Sequence, residues 1–330
     1  MKRRTVLSLL GAGAFGATSI GHARAQSKLV LKASDVHPLG YPTVEAVVRM
    51  GKKLDQATNG RLTVQMFPSM QLGGEKEALE QAQVGALALA RVSVGVVGSI
   101  VDDVNVFNLP FVFRDVAHMR KVIDGEIGKE LLDKISSNPQ ARLIGLCWMD
   151  GGSRNVYNTK RPVRTVEDLK GLKIRMMGNP LFVDTMNALG GNGVAMGMDQ
   201  VYSALQTGVV DGAENNPPSY DSFGHYTIAK HYSMTEHLII PEILVFSKRT
   251  WDGLSKDDQE LLRKVAVEAQ QEQRQLWDER VAESMKKIKD SGIEVVTFQD
   301  KKPFQDAVKP VWDKYGAKHA ALVQRIQAVQ

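Results

Sequence analysis

The stretch from Gly171 to Asn215 contains the side chains of this chain that are best suited to holding a small anion. Gly171 to Arg175 is typical of a loop that leads into a short strand whose last residue is cationic. In open α/β sheets ligands bind beyond the carboxyl ends of strands, where a guanidinium forms a planar fork that can grip a carboxylate with two hydrogen bonds. Ala213 to Pro218 is predicted to be an extended polar tip, and it carries Asn215. The stretch therefore predicts a site for a carboxylate.

The segments that must position these residues alternate between strand and helix patterns. Apolar residues recur at helical spacing in the predicted helices and alternate with polar residues in the clearest strand. The predicted strands are 29–33, 62–66, 86–90 and 143–149, and the predicted helices are 43–58, 75–84, 180–189 and 199–207. A turn and a strand are predicted over 208–212. This order predicts an α/β fold with largely parallel strands.

One long helix is predicted near the end of the chain. Ser255-Lys-Asp-Asp258 resembles a capping box, and apolar residues then recur every three to five positions as far as about Lys289. Several glutamines between Gln270 and Gln275 interrupt any continuous coiled-coil seam. We therefore predict a single helix that packs along the body of the protein.

Several motifs, in order along the chain, resemble the substrate-binding proteins of tripartite ATP-independent periplasmic (TRAP) transporters, the DctP-type family. The motifs are Pro68–Gly73, Asn108–Phe113, Leu169–Arg175, Tyr202–Asn215 and Thr235–His237. The resemblance covers nearly all of the chain after residue 25. It implies a two-lobed α/β fold like that of periplasmic binding proteins, with a ligand cleft between the lobes and a long connecting helix. Carried over to this chain, it places 26–151 and 241–275 in lobe one, and 152–240 and 276–330 in lobe two.

The resemblance also implies roles for individual residues. Arg175 matches the family arginine that holds the ligand carboxylate, Arg154 matches a second arginine position, and Asn215 matches an asparagine that donates to the same group. On the residues alone, Arg175 could instead cap a strand at the surface, and Arg154 could be a solvated turn residue. Further residues fall near family pocket positions: His37, Glu75, Ser93, Met198 and His237. Arg91 and Asp150 are polar residues in or beside apolar strands, where they either face the cleft or pair with the other lobe.

The implied function is capture of a carboxylate-containing small molecule by closure of the cleft. The resemblance is strongest to the branch that binds sugar acids, so a hexuronate such as glucuronate or galacturonate is the expected ligand. A C4-dicarboxylate, another organic acid, or a ligand-binding role in a periplasmic sensor are the alternatives. The expected partners are the membrane subunits of a TRAP transporter, and we expect a monomer that needs no cofactor and no metal.

The first residues predict export. A basic start at Met1 to Arg4, a mostly apolar stretch from Val6 to Ile20 and the signal Ala23-Arg24-Ala25 form the pattern of a cleaved signal peptide over residues 1–25. The expected location is the periplasm of a Gram-negative bacterium. Arg3-Arg4 is compatible with twin-arginine export as well as with the general route.

Composition excludes several other classes of protein. Loss of four basic residues with the signal peptide lowers Lys+Arg from 42 to 38 against 37 acidic residues, and this balance argues against a nucleic-acid partner. Cys147 is the single cysteine, so an internal disulfide is not possible. We predict it to be a core residue of the apolar strand. The sequence after residue 25 contains no recognisable catalytic or zinc-binding motif, and we therefore expect no enzymatic activity.

Overall fold

The computed structural model describes residues 28–330, so the signal peptide predicted over residues 1–25 lies outside the described residues. Eleven strands form two sheets. In chain order the strands are β1 (Leu29–Ser34), β2 (Leu62–Phe67), β3 (Leu89–Ser93), β4 (Leu143–Met149), β5 (Ser153–Asn158), β6 (Lys173–Met176), β7 (Asn192–Ala195), β8 (Gly212–Asn215), β9 (His231–Ile239), β10 (Glu242–Ser247) and β11 (Glu294–Val296). The first sheet has the order β2-β1-β3-β10-β4, and the second has the order β11-β9-β5-β8-β6-β7.

Helices cover the two sheets. They are α1 (Pro42–Ala57), α2 (Glu75–Val84), α3 (Val94–Val97), α4 (Val116–Asp124), α5 (Glu126–Ser137), α6 (Pro180–Ala188), α7 (Met198–Thr207), α8 (Pro217–Ser222), α9 (Lys248–Trp251), α10 (Lys256–Asp290), α11 (Lys302–Ala307), α12 (Lys309–Val311) and α13 (Ala320–Ala328). Short 3₁₀ segments occur at Asp102–Asn108, Val166–Leu169, His225–Thr227 and Ala317–His319, and one π turn occurs at Trp312–Gly316. Within residues 28–330, none of these helices combines the length and the apolar character that crossing a bilayer requires.

Each sheet contains both parallel and antiparallel strand pairs. The prediction of largely parallel strands is therefore wrong for the antiparallel pairs of each sheet. Every antiparallel pair involves β5 or β10. These are the strands that the chain enters directly after it crosses from one sheet to the other, at Gly151-Gly152 and at Ile240-Pro241. No helix returns the chain to the starting edge at these crossings, so each new strand runs opposite to its neighbours.

A shared apolar core lies beneath the cleft. Val94 and Phe107 of the first lobe belong to the same buried cluster as Met177 and Phe182 of the second. Gly95 marks the closest approach, since a Cβ atom there would lie 2.5 Å from the Phe182 ring. Any larger residue at position 95 would therefore push the two lobes apart.

Helix α10 is the long helix that the sequence predicts, and it contacts both lobes. Its glutamines form hydrogen bonds with backbone groups at the edge strand β4, which has a neighbouring strand on one side only. The Gln273 side chain accepts from the Asp150 amide (2.9 Å) and donates to the Asp150 carbonyl (3.0 Å). Gln270 accepts from the amide of Trp148 (3.3 Å). Farther along, the helix reaches lobe two, where Ser284 contacts Asp221. These glutamines satisfy buried backbone groups of an edge strand that would otherwise lack partners.

The C-terminal helices contact both lobes. Helix α12 packs near α6, whereas α13 contacts lobe one, where the Ile326 carbonyl lies 2.9 Å from His118 Nε2 and Arg325 pairs with Glu130. The sequence places 276–330 wholly in lobe two. The boundaries of the two lobes stay a prediction.

Cys147 lies in the buried strand β4, as the sequence predicts. Burial raises the pKa of its thiol to about 12, and the thiolate is the reactive form. We therefore expect a thiol reagent such as DTNB to leave the native protein unmodified at neutral pH and to modify one thiol after unfolding in guanidinium. Equal reaction rates in native and unfolded protein would contradict this burial.

Candidate functional site

The strand ends of the two sheets face each other across a cavity of about 620 Å³. In lobe one, β3 runs toward the cavity and β10 runs away from it, so that Ser93 lies opposite Glu242. In lobe two, β8 lies between β5 and β6, and its register brings Asn215 beside the start of β5 and Ala213 beside Arg175. Seven residues that the sequence singles out line the cavity: His37, Glu75, Ser93, Arg154, Arg175, Met198 and Asn215.

Arg175 is a buried cation that forms no ion pair with any residue of 28–330. It is 3% exposed, and its Nε donates to the Met196 carbonyl (2.7 Å). Its Nη1 has no hydrogen-bond partner among the described residues. Burial lowers the pKa of Arg175 below its ordinary value; the Glu214 carboxylate opposes this shift, and the charge of Arg154 adds to it. A guanidinium in this setting favours an anion that completes its hydrogen bonds.

Arg154 differs from Arg175 because the protein neutralises its charge. Its Nε and Nη2 donate to the two carboxylate oxygens of Glu214 (2.5 and 2.7 Å). Burial acts to lower the pKa of Arg154, but the Glu214 carboxylate outweighs burial and the pKa lies above its ordinary value. The pair is a bidentate ion pair of the strong kind. Arg154 therefore supports the structure of the site, and its charge is already paired with Glu214.

Asn215 is oriented by Arg154. Its Oδ1 accepts from Arg154 Nη1 (3.0 Å) and from the amide of Asn216 (2.9 Å). This assignment leaves Nδ2 as a donor that makes no hydrogen bond within residues 28–330, on a side chain that lines the cavity. Arg175 and Asn215 thus line the same cavity, and each has a donor that makes no hydrogen bond among the described residues.

The opposite wall, in lobe one, is formed around Arg91 by the carboxylates of Asp35, Glu75 and Glu242, and we call it the acidic wall. Its Nε and Nη2 donate to the two oxygens of Asp35, and Nη2 also approaches His37 Nδ1 (2.8 Å). Its Nη1 donates to Glu75 (2.8 Å) and to Glu242 (2.6 Å). The Arg91 side chain is 1% exposed and bonds to three carboxylates, so it orders the acidic groups of the wall rather than facing a ligand.

Glu75 and Glu242 line the cavity, and each uses only one of its two oxygens in hydrogen bonds within the described residues. Oε1 of Glu75 accepts from Arg91 and from the amide of Ser93 (3.1 Å), and Oε2 of Glu242 accepts from Arg91. Their second oxygens make no hydrogen bond within the described part of the chain. Burial, with the charge of Glu75, raises the pKa of Glu242 to about 7 even though Arg91 opposes the shift. Carboxylate oxygens are acceptors, so this wall suits hydroxyl donors.

A contact between the lobes closes one side of the cavity. His37 Nδ1 lies 2.8 Å from Arg91 Nη2 and 3.0 Å from Asp35 Oδ1, and His37 Nε2 forms a hydrogen bond with Ser219 Oγ (3.2 Å) on the other lobe. Tyr41, whose ring stacks on His37 with centroids 3.7 Å apart, also contacts Ser219 Oγ through its hydroxyl (3.0 Å). Burial, together with the charge of Arg91, lowers the pKa of His37 and keeps the ring neutral.

Three residues that the sequence places near the ligand do not line the cavity. Arg91 lies behind the acidic wall, as described above. Asp150 is fully buried at the crossing and pairs with Arg120. His237 lies behind Glu214, with Nε2 3.7 Å from that carboxylate, and burial lowers its pKa to about 4. A direct contact between these three and a ligand is therefore not supported by their positions.

Sequence reasoning missed four lining residues with functional potential: Met196, Asn216, Ser219 and Glu242. Asn216 caps the short helix α8 directly after Asn215, and Ser219 lies in the first turn of that helix. The extended polar tip that the sequence predicts over 213–218 agrees with strand β8 as far as Asn215, but it is wrong for 217–218, which begin helix α8. Asn-Pro-Pro is a helix-start signal that could have identified α8.

The chain belongs to the DctP family, described as "Bacterial extracellular solute-binding protein, family 7", whose sequence pattern matches residues 33–319. Members of this family are periplasmic solute-binding proteins of TRAP transporters. The match confirms the family resemblance and the two-lobed α/β fold with its long helix.

Solved structures of similar proteins hold sugar acids. A TRAP periplasmic solute-binding protein from Pseudomonas putida F1 with bound D-glucuronate is 57% identical, with a TM-score of 0.90 over 92% of this chain and 98% of that chain. One from Citrobacter koseri with bound D-glucuronate is 48% identical, with a TM-score of 0.90 over 92% and 100% of the chains. One from a Bradyrhizobium species in complex with D-galacturonate is 46% identical, with a TM-score of 0.88 over 91% and 99%.

The lobes have the arrangement of a ligand-bound relative. The Citrobacter koseri protein is also known in an apo, open structure, and its TM-score with this chain is 0.81, against 0.90 for the form with bound D-glucuronate. His37 and Tyr41 of lobe one contact Ser219 of lobe two, so the two lobes touch each other on one side of the cavity, as they would in a closed cleft.

Proposed function

We propose that this protein binds a hexuronate, D-glucuronate or D-galacturonate, between its lobes and delivers it to the membrane subunits of a TRAP transporter. The observation that carries the proposal is the buried Arg175 guanidinium, whose Nη1 has no partner and which forms no ion pair within residues 28–330. A buried charge needs a partner. A ligand carboxylate that bonds to Arg175 and to Asn215 Nδ2 supplies one.

The acidic wall favours a sugar acid over a C4-dicarboxylate. Glu75 and Glu242 lie on the wall opposite Arg175, and both line the cavity with carboxylate acceptors. The hydroxyl groups of a hexuronate donate to such acceptors. A second carboxylate would meet like charge there, since Arg91 already bonds to three carboxylates and Arg154 is neutralised by Glu214. The bound D-glucuronate and D-galacturonate of the similar proteins support the same choice.

Closure of the cleft is the proposed mechanism. Lobe two holds the carboxylate through Arg175 and Asn215, and lobe one then brings Glu75 and Glu242 to the hydroxyl groups. Closure excludes water, which strengthens each electrostatic contact. The ligand stabilises the closed form only by its greater affinity for that form, and the contact of His37 with Ser219 adds to the stability of the closed form.

The proposal includes location and partners. Cleavage of residues 1–25 delivers the protein to the periplasm as a monomer, and the closed form docks on membrane subunits that an ion gradient drives. A periplasmic sensor would use the same cleft without transport. Loss of hexuronate uptake in cells that lack the protein favours transport, whereas unchanged uptake together with a lost transcriptional response favours sensing.

A thermal-shift screen tests the ligand class. A ligand that binds only the native state raises the melting temperature by mass action, by an amount that grows with its concentration. We expect D-glucuronate and D-galacturonate to raise it, and succinate, malate, galactarate and neutral glucose to leave it within the noise. Glucose is the matched comparison for the carboxylate, because it keeps the pyranose ring and its hydroxyl groups, and galactarate is an open-chain comparison that carries hydroxyl groups and two carboxylates. A shift with succinate and none with either uronate would overturn the proposal.

A further inference from the structure

The acidic wall contains more negative groups than its cation can neutralise. Three carboxylates, those of Asp35, Glu75 and Glu242, bond to the single guanidinium of Arg91. Asp35 occupies one side of the fork with both oxygens, and the two glutamates share Nη1. If all three carboxylates were ionised, this buried cluster would carry a net charge of −2, which a site shielded from water disfavours.

Glu242 is the member of the cluster whose surroundings favour a proton. It lies at the start of β10 between two neutral neighbours, Ser93 of β3 and Met149 of β4. The titratable and charged groups that face it from the surrounding elements are Asp35, His37, Tyr41, Glu75, Arg91 and Arg154.

Asp35, His37 and Tyr41 keep one charge state near neutral pH. Burial acts to raise the pKa of Asp35, but the charge of Arg91 outweighs it and holds that pKa below its ordinary value. His37 stays neutral because burial lowers its pKa, and burial raises the pKa of Tyr41. Burial and the charge of Glu75 raise the pKa of Glu242 to about 7, so Glu242 can change charge in that range.

We propose that Glu242 couples ligand binding to release of a proton. Arg91 and its three carboxylates all lie in lobe one, so the cluster stays together when the lobes open. In the ligand-free protein the Glu242 carboxyl carries a proton on Oε1, the oxygen that does not bond to Arg91. A ligand hydroxyl that donates to this oxygen favours the carboxylate, so the proton leaves for solvent as the ligand binds. This inference rests on the proposed function, because it needs a ligand that presents hydroxyl groups to lobe one.

The sign of the pH dependence follows from this coupling. Binding lowers the pKa of Glu242, so affinity rises with pH up to the pKa of the ligand-free protein and is level above it. The ligand carboxylate does not contribute, because carboxyl groups of this kind titrate near pH ~3–4. One proton permits at most a tenfold change in Kd per pH unit, so we expect Kd to fall on the order of tenfold from pH 5.5 to pH 7 and little beyond it.

Calorimetry in paired buffers measures the proton directly. D-glucuronate is titrated into the protein at pH 6.0 in two buffers of different ionisation enthalpy, and the difference between the observed heats gives the number of protons released. We expect about one proton at pH 6.0, falling toward none at pH 8.5. Binding without proton release, or with proton uptake, at pH 6.0 overturns this inference and leaves the proposed function standing. No binding of either uronate overturns both.

Two variants test whether Glu242 is the group that releases the proton. Glu242→Gln keeps the size and the hydrogen bond to Arg91 but cannot titrate, so we expect no proton release and a Kd that does not change between pH 5.5 and 8. Glu283→Gln, on the exposed face of α10, should release the proton as the parent protein does. Unchanged release from Glu242→Gln would show that another group supplies the proton and would overturn the assignment. The paired-buffer result for the parent protein does not depend on how either variant folds.

Discussion

Replacing Arg175 with methionine will abolish measurable hexuronate binding and will leave the ligand-free protein at least as stable as the parent. Arg175 is buried, and its Nη1 has no partner in the part of the chain that the structure describes, so the guanidinium costs stability until an anion arrives. Each charge-assisted hydrogen bond that the ligand loses is worth ~1.5–3 kcal/mol. Loss of two such bonds weakens binding by a factor of about 100 or more.

Calorimetry with D-glucuronate and urea unfolding of the ligand-free variant measure the two effects separately. Arg175→Lys should bind more weakly than the parent as well, because an ammonium replaces a planar fork that holds the Met196 carbonyl and the ligand together. Arg249→Lys, an exposed arginine of α9, is the matched control and should bind as the parent does. Parent-like affinity in Arg175→Met would show that the carboxylate is held elsewhere.

Local sequence patterns predict those elements whose burial follows a simple period. Helix α2 begins and ends where predicted, and α10 differs from its prediction by about one residue at its C-terminus. The segment 213–218 is predicted to be an extended polar tip, whereas in the structure it ends a strand and begins a helix, and Glu214 and Asn215 are buried. Their burial is possible only because Arg154 satisfies them, and Arg154 lies about 60 residues away in the chain.

The two walls of the cavity were predictable to different extents. Arg175 could be singled out because its position at a strand end has a local signature. Glu242 could not, because its role depends on sharing Arg91 with Glu75, and these groups come from three separate elements. In the same way, the sequence shows Gln273 only as a polar interruption of the apolar positions of α10, whereas in the structure its side chain bonds to the backbone of Asp150 at the end of β4.

Opposite electrostatics on the two walls determine how a ligand must be oriented. Among residues 28–330, the lobe-two wall presents the Arg175 cation without an ion-pair partner, and the lobe-one wall holds three carboxylates around the single cation Arg91. A molecule with a carboxylate at one end and hydroxyl groups at the other compensates both walls at once, and only when the lobes are closed. Neither wall alone selects a hexuronate, so the selectivity belongs to the closed form.

Replacing Glu214 with glutamine should lower the free energy of unfolding of the ligand-free protein by about 3–5 kcal/mol. Glu214 is fully buried, and its two oxygens accept from Arg154 Nε (2.5 Å) and Nη2 (2.7 Å). A glutamine keeps one acceptor but turns an amide N–H toward the guanidinium. Two uncompensated buried arginines, Arg154 and Arg175, would then lie near each other. Urea unfolding without ligand measures the loss.

The control for this prediction is Glu130→Gln, which removes an ion pair with Arg325 (2.7 Å) at the surface. Solvent screens that pair, so we expect a change below ~1 kcal/mol. If both variants lost the same small amount of stability, the Arg154–Glu214 pair would not be the buried support of the site that its geometry indicates. A larger loss in Glu214→Gln that added glucuronate partly restores would show that the ligand carboxylate compensates the two arginines.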